Sequence, residues 1–104
     1  AAARSQREAI RQRLHTVLDA EAVLCLPTTP VPAPLRGERL SVRRDVRARI
    51  SMLTCIAGTT GRPQINLPLT EVDGLPIGLS LLGTPGADAC LLAFAREIAT
   101  ACGR

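Results

Sequence analysis

The spacing of apolar residues divides the chain into helical and extended segments. Residues 5–20 carry an apolar stripe at the three- and four-residue spacing of an amphipathic helix: Ile10, Leu14, Val17 and Leu18. The continuous apolar run of residues 22–26 follows and stops at Pro27. Such a short run, bounded by proline, is typical of a strand buried on both faces. The beginning of the chain therefore predicts one helix and one strand.

The middle of the chain predicts a loop and a second helix. Four prolines within residues 27–34 exclude a helix and disfavour ladder pairing, so an extended loop is expected there. The second helix is predicted from about Ser41 or Val42 to Ala57, with Ser41 as its candidate N-cap and Gly58 and Gly61 at its exit. Its apolar stripe consists of Val46, Ile50, Leu53 and Ala57.

The end of the chain predicts a hairpin followed by a helix. Residues 64–69 alternate as a strand, residues 72–74 form a turn, and residues 75–83 form a third strand. Gly78 and Ser80 lie on one face of that strand, where another element is expected to pack closely. The last helix is predicted over residues 87–102, with Thr84 as a possible cap.

The element order is therefore α-β-α-β-β-α in a single segment covering residues 1–104. This order predicts an α/β fold with a small mixed sheet of about three strands and helices on both faces. The hairpin is antiparallel, whereas the first strand is expected to pair in parallel through its crossover helix. At least one sheet edge is expected to be uncovered, and such an edge favours docking or association with a second copy.

Composition limits both the core and the chemistry. Hydrophobic residues make up 46% of the chain, yet Phe94 is the only aromatic residue, so the core is thin for a free-standing domain. All thirteen basic residues are arginine, and the absence of lysine excludes Schiff-base, Ser–Lys and phosphate-loop lysine chemistry within this chain. No apolar run approaches the about 18–20 residues of a membrane span, and no membrane partner is expected.

The cysteines do not predict a metal site. The four, Cys25, Cys55, Cys90 and Cys102, show no short metal-type spacing, and no secretory signal is evident. They are expected to be reduced, buried, small apolar residues of a cytoplasmic protein.

Three stretches, taken together and in order, resemble the C-terminal part of the amidase signature family. Residues 22–30 resemble its apolar strand followed by Pro-Thr-x-Pro. Residues 58–68 resemble its Asn-x-x-Gly-x-Pro-x-x-x-x-Pro element, although Gly58 replaces the frequent Asn. Residues 74–83 resemble its Gly-Leu-Pro-x-Gly strand, and Asp88, Leu91 and Leu92 match the acidic residue and leucine pair that follow.

The resemblance implies the C-terminal portion of the α/β/α fold of an amide hydrolase, which converts a carboxamide to a carboxylate and ammonia. The Ser-Ser-Lys residues of that family lie in a segment upstream of the stretches matched here, so no catalytic residue is assigned in this chain. The resemblance implies that this segment completes the sheet and the substrate pocket, with Thr54 and Gly58 as candidate substrate contacts. The implied partners are the N-terminal catalytic portion of the same enzyme and a small-molecule amide. No cofactor or metal is expected.

Three other interpretations compete with this one. His15, the only histidine, is a candidate partner for a cysteine in a Cys–His pair. An arginine cluster indicates a nucleic-acid patch: Arg36, Arg39, Arg43, Arg44, Arg47 and Arg49. Glu38 and Asp45 interrupt this cluster and no aromatic residue is available for base stacking, so no nucleic-acid partner is expected. The third is a stand-alone interaction module, which would be a monomer with a cooperative melt.

Overall fold

The computed structural model describes residues 1–103 and confirms the α-β-α-β-β-α order. The helices are α1 (Ala2–Val17), α2 (Leu40–Thr60) and α3 (Asp88–Ala101), and the strands are β1 (Leu24–Pro27), β2 (Gln64–Val72) and β3 (Leu75–Leu82). The α3 helix packs on one face of the sheet, and α2 lies across a groove from the other face.

The sheet is antiparallel throughout, and the prediction of a mixed sheet with a parallel first strand was wrong. The strand order is β1-β3-β2, and β3 runs antiparallel to both neighbours. The β1 and β2 strands do run in the same direction, as a crossover through α2 predicts. They are not adjacent, however, because the hairpin places β3 between them, and both outer strands therefore have a free edge among the described residues.

The hairpin has the backbone conformation that its sequence predicts. Asp73 and Gly74 have positive φ values of 53° and 77°, the left-handed conformations that a two-residue type I′ hairpin requires. The β2 register shifts between Leu67 and Thr70, next to Pro68. Since proline has no N–H for the ladder, an irregularity at this position of an outer strand is expected.

The core lies between α3 and the sheet. Leu67, Leu81, Leu91 and Ala95 form its buried cluster, and Ile65, Leu69 and Ile98 pack around it. The radius of gyration is 15.7 Å, larger than the about 13 Å of a compact domain of roughly 100 residues. The chain is therefore flat and open, which agrees with the thin core indicated by its composition.

The predicted bounds of α1 and α2 and the two predicted caps, Ser41 and Thr84, were wrong. Helix α1 covers Ala2–Val17 rather than residues 5–20. Gly58 lies inside α2, because an interior glycine costs only about 1 kcal/mol and does not by itself end a helix. The helix ends at Gly61, whose positive φ of 69° and N–H bond to the Ala57 carbonyl form a left-handed cap. Ser41 lies within α2, which starts after Arg39. Thr84 does not cap α3; its hydroxyl donates to the Ala20 carbonyl instead.

A buried arginine joins three elements at one end of the sheet. Arg62, only 5% exposed, follows the C-cap of α2. Its Nη1 donates to the Gly83 carbonyl beyond β3 at 3.2 Å, and its Nη2 donates to the Leu18 carbonyl beyond α1 at 3.4 Å. The Gly83 N–H donates to the Pro63 carbonyl at 2.9 Å, a second hydrogen bond between the residues that follow α2 and the end of β3.

The four cysteines are free, but the prediction that they are buried was wrong, since all four are exposed. Cys25 and Cys90 line an open groove between β1 and α3, and Cys55 lines another between α1 and α2. They are exposed because no described element covers these grooves. Their cytoplasmic setting stays a prediction.

The surface is apolar in several places where a globular domain would cover it. The stripe predicted for α1 is only partly buried: Leu18 is buried, whereas Val17 is 72% exposed, and Met52 of α2 is 78% exposed. The arginines of α2 are exposed, and one of them, Arg49, pairs with Asp45 at 3.2 Å, one helical turn away. Within residues 1–103, no helix has the length and apolarity needed to cross a membrane.

Candidate functional site

A polar cluster occupies the sheet face opposite α3. Because side chains alternate along a strand, Leu81 and Leu67 face α3, whereas Ser80 and Asn66 face the other way. Thr28, the residue after β1, lies on the same face. The register places Asn66 of β2 directly opposite Ser80 of β3, so the three polar side chains come from two adjacent strands and from the residue that follows β1.

The cluster is closely hydrogen-bonded. The Thr28 hydroxyl lies 2.6 Å from the Ser80 hydroxyl and 2.5 Å from Oδ1 of Asn66. Its backbone N–H donates to the Gly78 carbonyl at 2.9 Å and fixes the chain where it leaves β1. Ser80 is completely buried, whereas Asn66 is exposed. The cluster therefore has a buried end at Ser80 and an open end at Asn66.

Gly78 leaves room for the Asn66 carboxamide. A Cβ atom at position 78 would overlap Oδ1 of Asn66 and lie 2.9 Å from the hydroxyl of Thr28. No side chain fits there while Asn66 keeps this position. The close packing predicted for the small residues Gly78 and Ser80 is thus confirmed, and the packed groups come from β2 and from the end of β1.

A groove of about 340 Å³ lies over the open end of this cluster. Thr28, Asn66 and Gly78 form one side of the groove, and Val46 and Ile50 of α2 form the other. The remaining lining residues belong to the proline-rich loop and to the start of β3: Thr29, Val31, Pro32, Ala33, Pro34 and Pro76. The arrangement presents a few polar groups within an apolar wall, as small-molecule sites do.

The two predicted substrate contacts lie elsewhere on α2. Thr54 and Gly58 are one helical turn apart on an exposed side of the helix, and neither lines this groove. The Thr54 hydroxyl donates to the Ile50 carbonyl at 3.0 Å, so its lone pairs remain available to accept a hydrogen bond. A Cβ atom at Gly58 would meet nothing within 4 Å. Their role in substrate binding stays a prediction.

Other grooves offer less organised chemistry. The groove between β1 and α3, of about 630 Å³, is lined mainly by apolar groups such as Val23, Leu81 and Phe94. His15 lines a groove with Glu8, Arg11 and Arg62, and no cysteine shares it. Among residues 1–103, no group of three or more His, Cys, Asp or Glu side chains is arranged to hold a metal ion. The cluster at Thr28, Asn66 and Ser80 is therefore the best-organised polar site described.

The sequence indicated only part of this cluster. The small residues of β3 signalled close packing, but Asn66 was one polar position in an alternating strand and Thr28 one residue of a proline-rich loop. Because Thr28 and Ser80 are 52 positions apart, only the pairing of β1 with β3 brings them together. The hairpin turn alone did not signal the contact, because the pairing of Val72 with Leu75 would continue to place Asn66 opposite Leu81. Only the register shift between Leu67 and Thr70 brings Asn66 opposite Ser80.

Comparison with known proteins establishes the family. The model of the Amidase family matches residues 1–92. The chain is 35% identical over 92 residues to Amidase 1 of Oryza sativa subsp. japonica, an alignment that covers 88% of this chain. It is 32% identical over 96 residues to Amidase 1 of Arabidopsis thaliana, covering 92% of this chain. The chain belongs to the amidase family, which confirms the resemblance seen in its motifs.

The same comparisons show that the chain spans about a fifth of the length of these relatives, 21% of the rice protein and 23% of the Arabidopsis protein. A solved amidase structure superposes with a TM-score of 0.73 at 30% identity, over 90% of this chain and 23% of that one. A solved glutamyl-tRNA(Gln) amidotransferase subunit from Thermotoga maritima superposes with a TM-score of 0.65 at 31% identity, over 79% and 18%. The fold is that of a segment of the α/β amidase-signature architecture.

Proposed function

We propose that this chain is the C-terminal segment of an amide hydrolase that converts a carboxamide to a carboxylate and ammonia. In this proposal the segment completes the sheet and one wall of the substrate pocket, and the Ser-Ser-Lys residues belong to the N-terminal catalytic portion. The observation that supports it most directly is the family match over residues 1–92, together with a sequence that contains no lysine and no Ser-Ser pair.

The open shape supports the docking part of this proposal. Large apolar side chains are exposed on different elements, including Val17 of α1, Met52 of α2 and Phe94 of α3, and the outer strands β1 and β2 each leave one edge unpaired among the described residues. Exposed apolar patches and free strand edges mark surfaces that bind another part of a protein. The catalytic portion is the proposed occupant, and association of two copies through a strand edge is the competing one.

Ammonia release from small amides tests the function. The complete protein is expected to release ammonia from simple primary amides, whereas the 104-residue chain alone is expected to release none, because it supplies neither the nucleophile nor the base. An ammonia assay on both proteins at equal concentration measures this. Hydrolysis by the isolated chain would contradict the assignment of its role, and a complete protein inactive on a broad amide series would contradict the function itself.

The predicted substrate contacts are tested in the complete protein. If Thr54 accepts a hydrogen bond from the substrate, Thr54→Val is expected to lower kcat/KM by about 3- to 10-fold, the effect of one hydrogen bond. Gly58→Leu is expected to raise KM, because its side chain would enter the space beside the helix that the substrate is proposed to occupy.

Matched controls separate a pocket effect from a general loss of the helix. Ala48→Leu introduces the same side chain at another exposed position of α2, and Thr100→Val makes the same change at an exposed position of α3. Both controls are expected to keep the parent kinetics. Equal changes in the kinetics of the variants and the controls would contradict the assignment of Thr54 and Gly58 to the substrate pocket.

A further inference from the structure

The donor and acceptor groups of the polar cluster determine which side chain donates each hydrogen bond. A carboxamide oxygen only accepts hydrogen bonds, so Thr28 must donate its single hydroxyl proton to Oδ1 of Asn66. The Ser80 hydroxyl must then donate to the Thr28 oxygen. The 2.5 Å between the Thr28 hydroxyl and Oδ1 of Asn66 lies at the short end of the range for an O–H···O bond. The chain of donation therefore runs from Ser80 through Thr28 to Asn66.

This direction leaves the amide nitrogen of Asn66 at the open end. Its Oδ1 is held by Thr28, and the carboxamide lies in the space left by the missing side chain of Gly78. No described residue accepts a hydrogen bond from Nδ2, and Asn66 lines the groove beneath α2. The result is a positioned donor with two N–H groups and no acceptor within residues 1–103.

The groove also indicates what kind of acceptor fits. None of the described residues that line it carries a charge, whereas carboxylates and phosphates are usually recognised by arginine. Its walls are formed largely by aliphatic and proline side chains. A neutral carbonyl oxygen next to an apolar group suits this environment better than an anion does.

We propose that the groove is a specificity subsite in which Nδ2 of Asn66 donates to a second, uncleaved carbonyl oxygen of the amide substrate. Thr28 and Gly78 are positioning residues, because one holds Oδ1 and the other leaves the carboxamide its space. This inference rests on the proposed amide hydrolase function and extends it. It predicts that the complete enzyme prefers amides with a neutral carbonyl a few atoms away from the scissile bond.

A pair of substrates of equal chain length tests the subsite. N-acetylglycinamide carries a second carbonyl, and pentanamide does not, while ammonia release reports cleavage of the primary amide in both. The complete protein is expected to show a higher kcat/KM for N-acetylglycinamide. Asn66→Asp keeps the acceptor for Thr28, removes both N–H donors and places a carboxylate where the substrate carbonyl is proposed to lie. It is expected to lower the ratio of the two kcat/KM values by at least about 3- to 10-fold, the effect of one lost hydrogen bond.

Two further variants act through the position of Asn66. Thr28→Val removes the hydroxyl that holds Oδ1 and is expected to lower the same ratio, whereas Thr28→Ser is expected to retain it. Gly78→Ala would displace the carboxamide and should lower the ratio as well. Gln64→Ala is the matched control, because Gln64 is a carboxamide on the same face of β2 but does not line the groove.

The outcomes distinguish this inference from the proposed function. A purely structural role for the cluster would lower activity on both substrates equally and leave their ratio unchanged, which would overturn the subsite. An unchanged ratio in both Asn66→Asp and Thr28→Val, or a parent enzyme without preference, would overturn it too. Failure of the parent enzyme to hydrolyse any amide would instead overturn the proposed function, and the subsite with it.

Discussion

Replacing Leu81 with alanine is expected to lower the free energy of unfolding of this chain by about 2–5 kcal/mol. Leu81 is 1% exposed in the central strand, and its paired neighbours are Cys25 of β1 and Ile65 of β2. It belongs to a buried cluster of only four residues, so few neighbours can move in to fill the cavity. Urea unfolding followed by circular dichroism measures the loss.

Leu75→Ala is the control for this prediction. Leu75 lies on the same strand but is 49% exposed, and a surface substitution of this kind usually changes stability by no more than about 0.5 kcal/mol. Similar losses in the two variants would show that the cluster around Leu81 is not the core of the chain in solution.

Replacing Arg62 with methionine is expected to lower the free energy of unfolding by about 2–4 kcal/mol, because hydrogen bonds from a charged donor contribute more than neutral ones and their loss leaves buried carbonyls unpaired. The carbonyls concerned belong to Leu18 and Gly83, so the loss would loosen α1 and the end of β3 together. The same urea experiment measures it, and hydrogen exchange at the end of β3 locates it.

Two variants test whether the fork of the guanidinium matters. Arg62→Lys is expected to recover only part of the loss, since a single ammonium group does not reproduce the planar fork that reaches both carbonyls. Arg96→Met, at an exposed position of α3, is expected to leave stability unchanged. A lysine variant as stable as the parent protein would contradict the proposed role of the two hydrogen bonds.

Local patterns predicted the elements of this fold well. The stripe Val46, Ile50, Leu53 and Ala57 is the partly buried side of α2, and Asp73-Gly74 forms the hairpin turn. The partner of β1 was not predictable in the same way. The crossover through α2 predicts that β1 and β2 run in the same direction. Whether they are neighbours depends on which hairpin strand lies in the middle of the sheet. The residues of β1 do not specify that the middle strand is β3.

The candidate site shows the same division between local and long-range information. Gly78 and Ser80 indicated a close contact because their small side chains leave space on one face of β3, and the structure confirms that contact. The residues that fill the space, Thr28 and Asn66, could not be paired from the sequence, since a one-residue change in register would turn Asn66 to the other face. Thr54 and Gly58 came from family resemblance alone and remain a prediction.

The antiparallel pairing of β1 with β3 has a consequence for the order in which the chain folds. The β2–β3 hairpin closes through two residues, whereas β1 reaches β3 only after a long intervening segment has been brought back to the sheet, as the 52-residue separation of Thr28 and Ser80 shows. Closing the longer loop requires more chain entropy to be lost and is expected to come later. Asn66 is therefore expected to acquire its fixed orientation last, when β1 joins the preformed hairpin and Thr28 arrives to hold it.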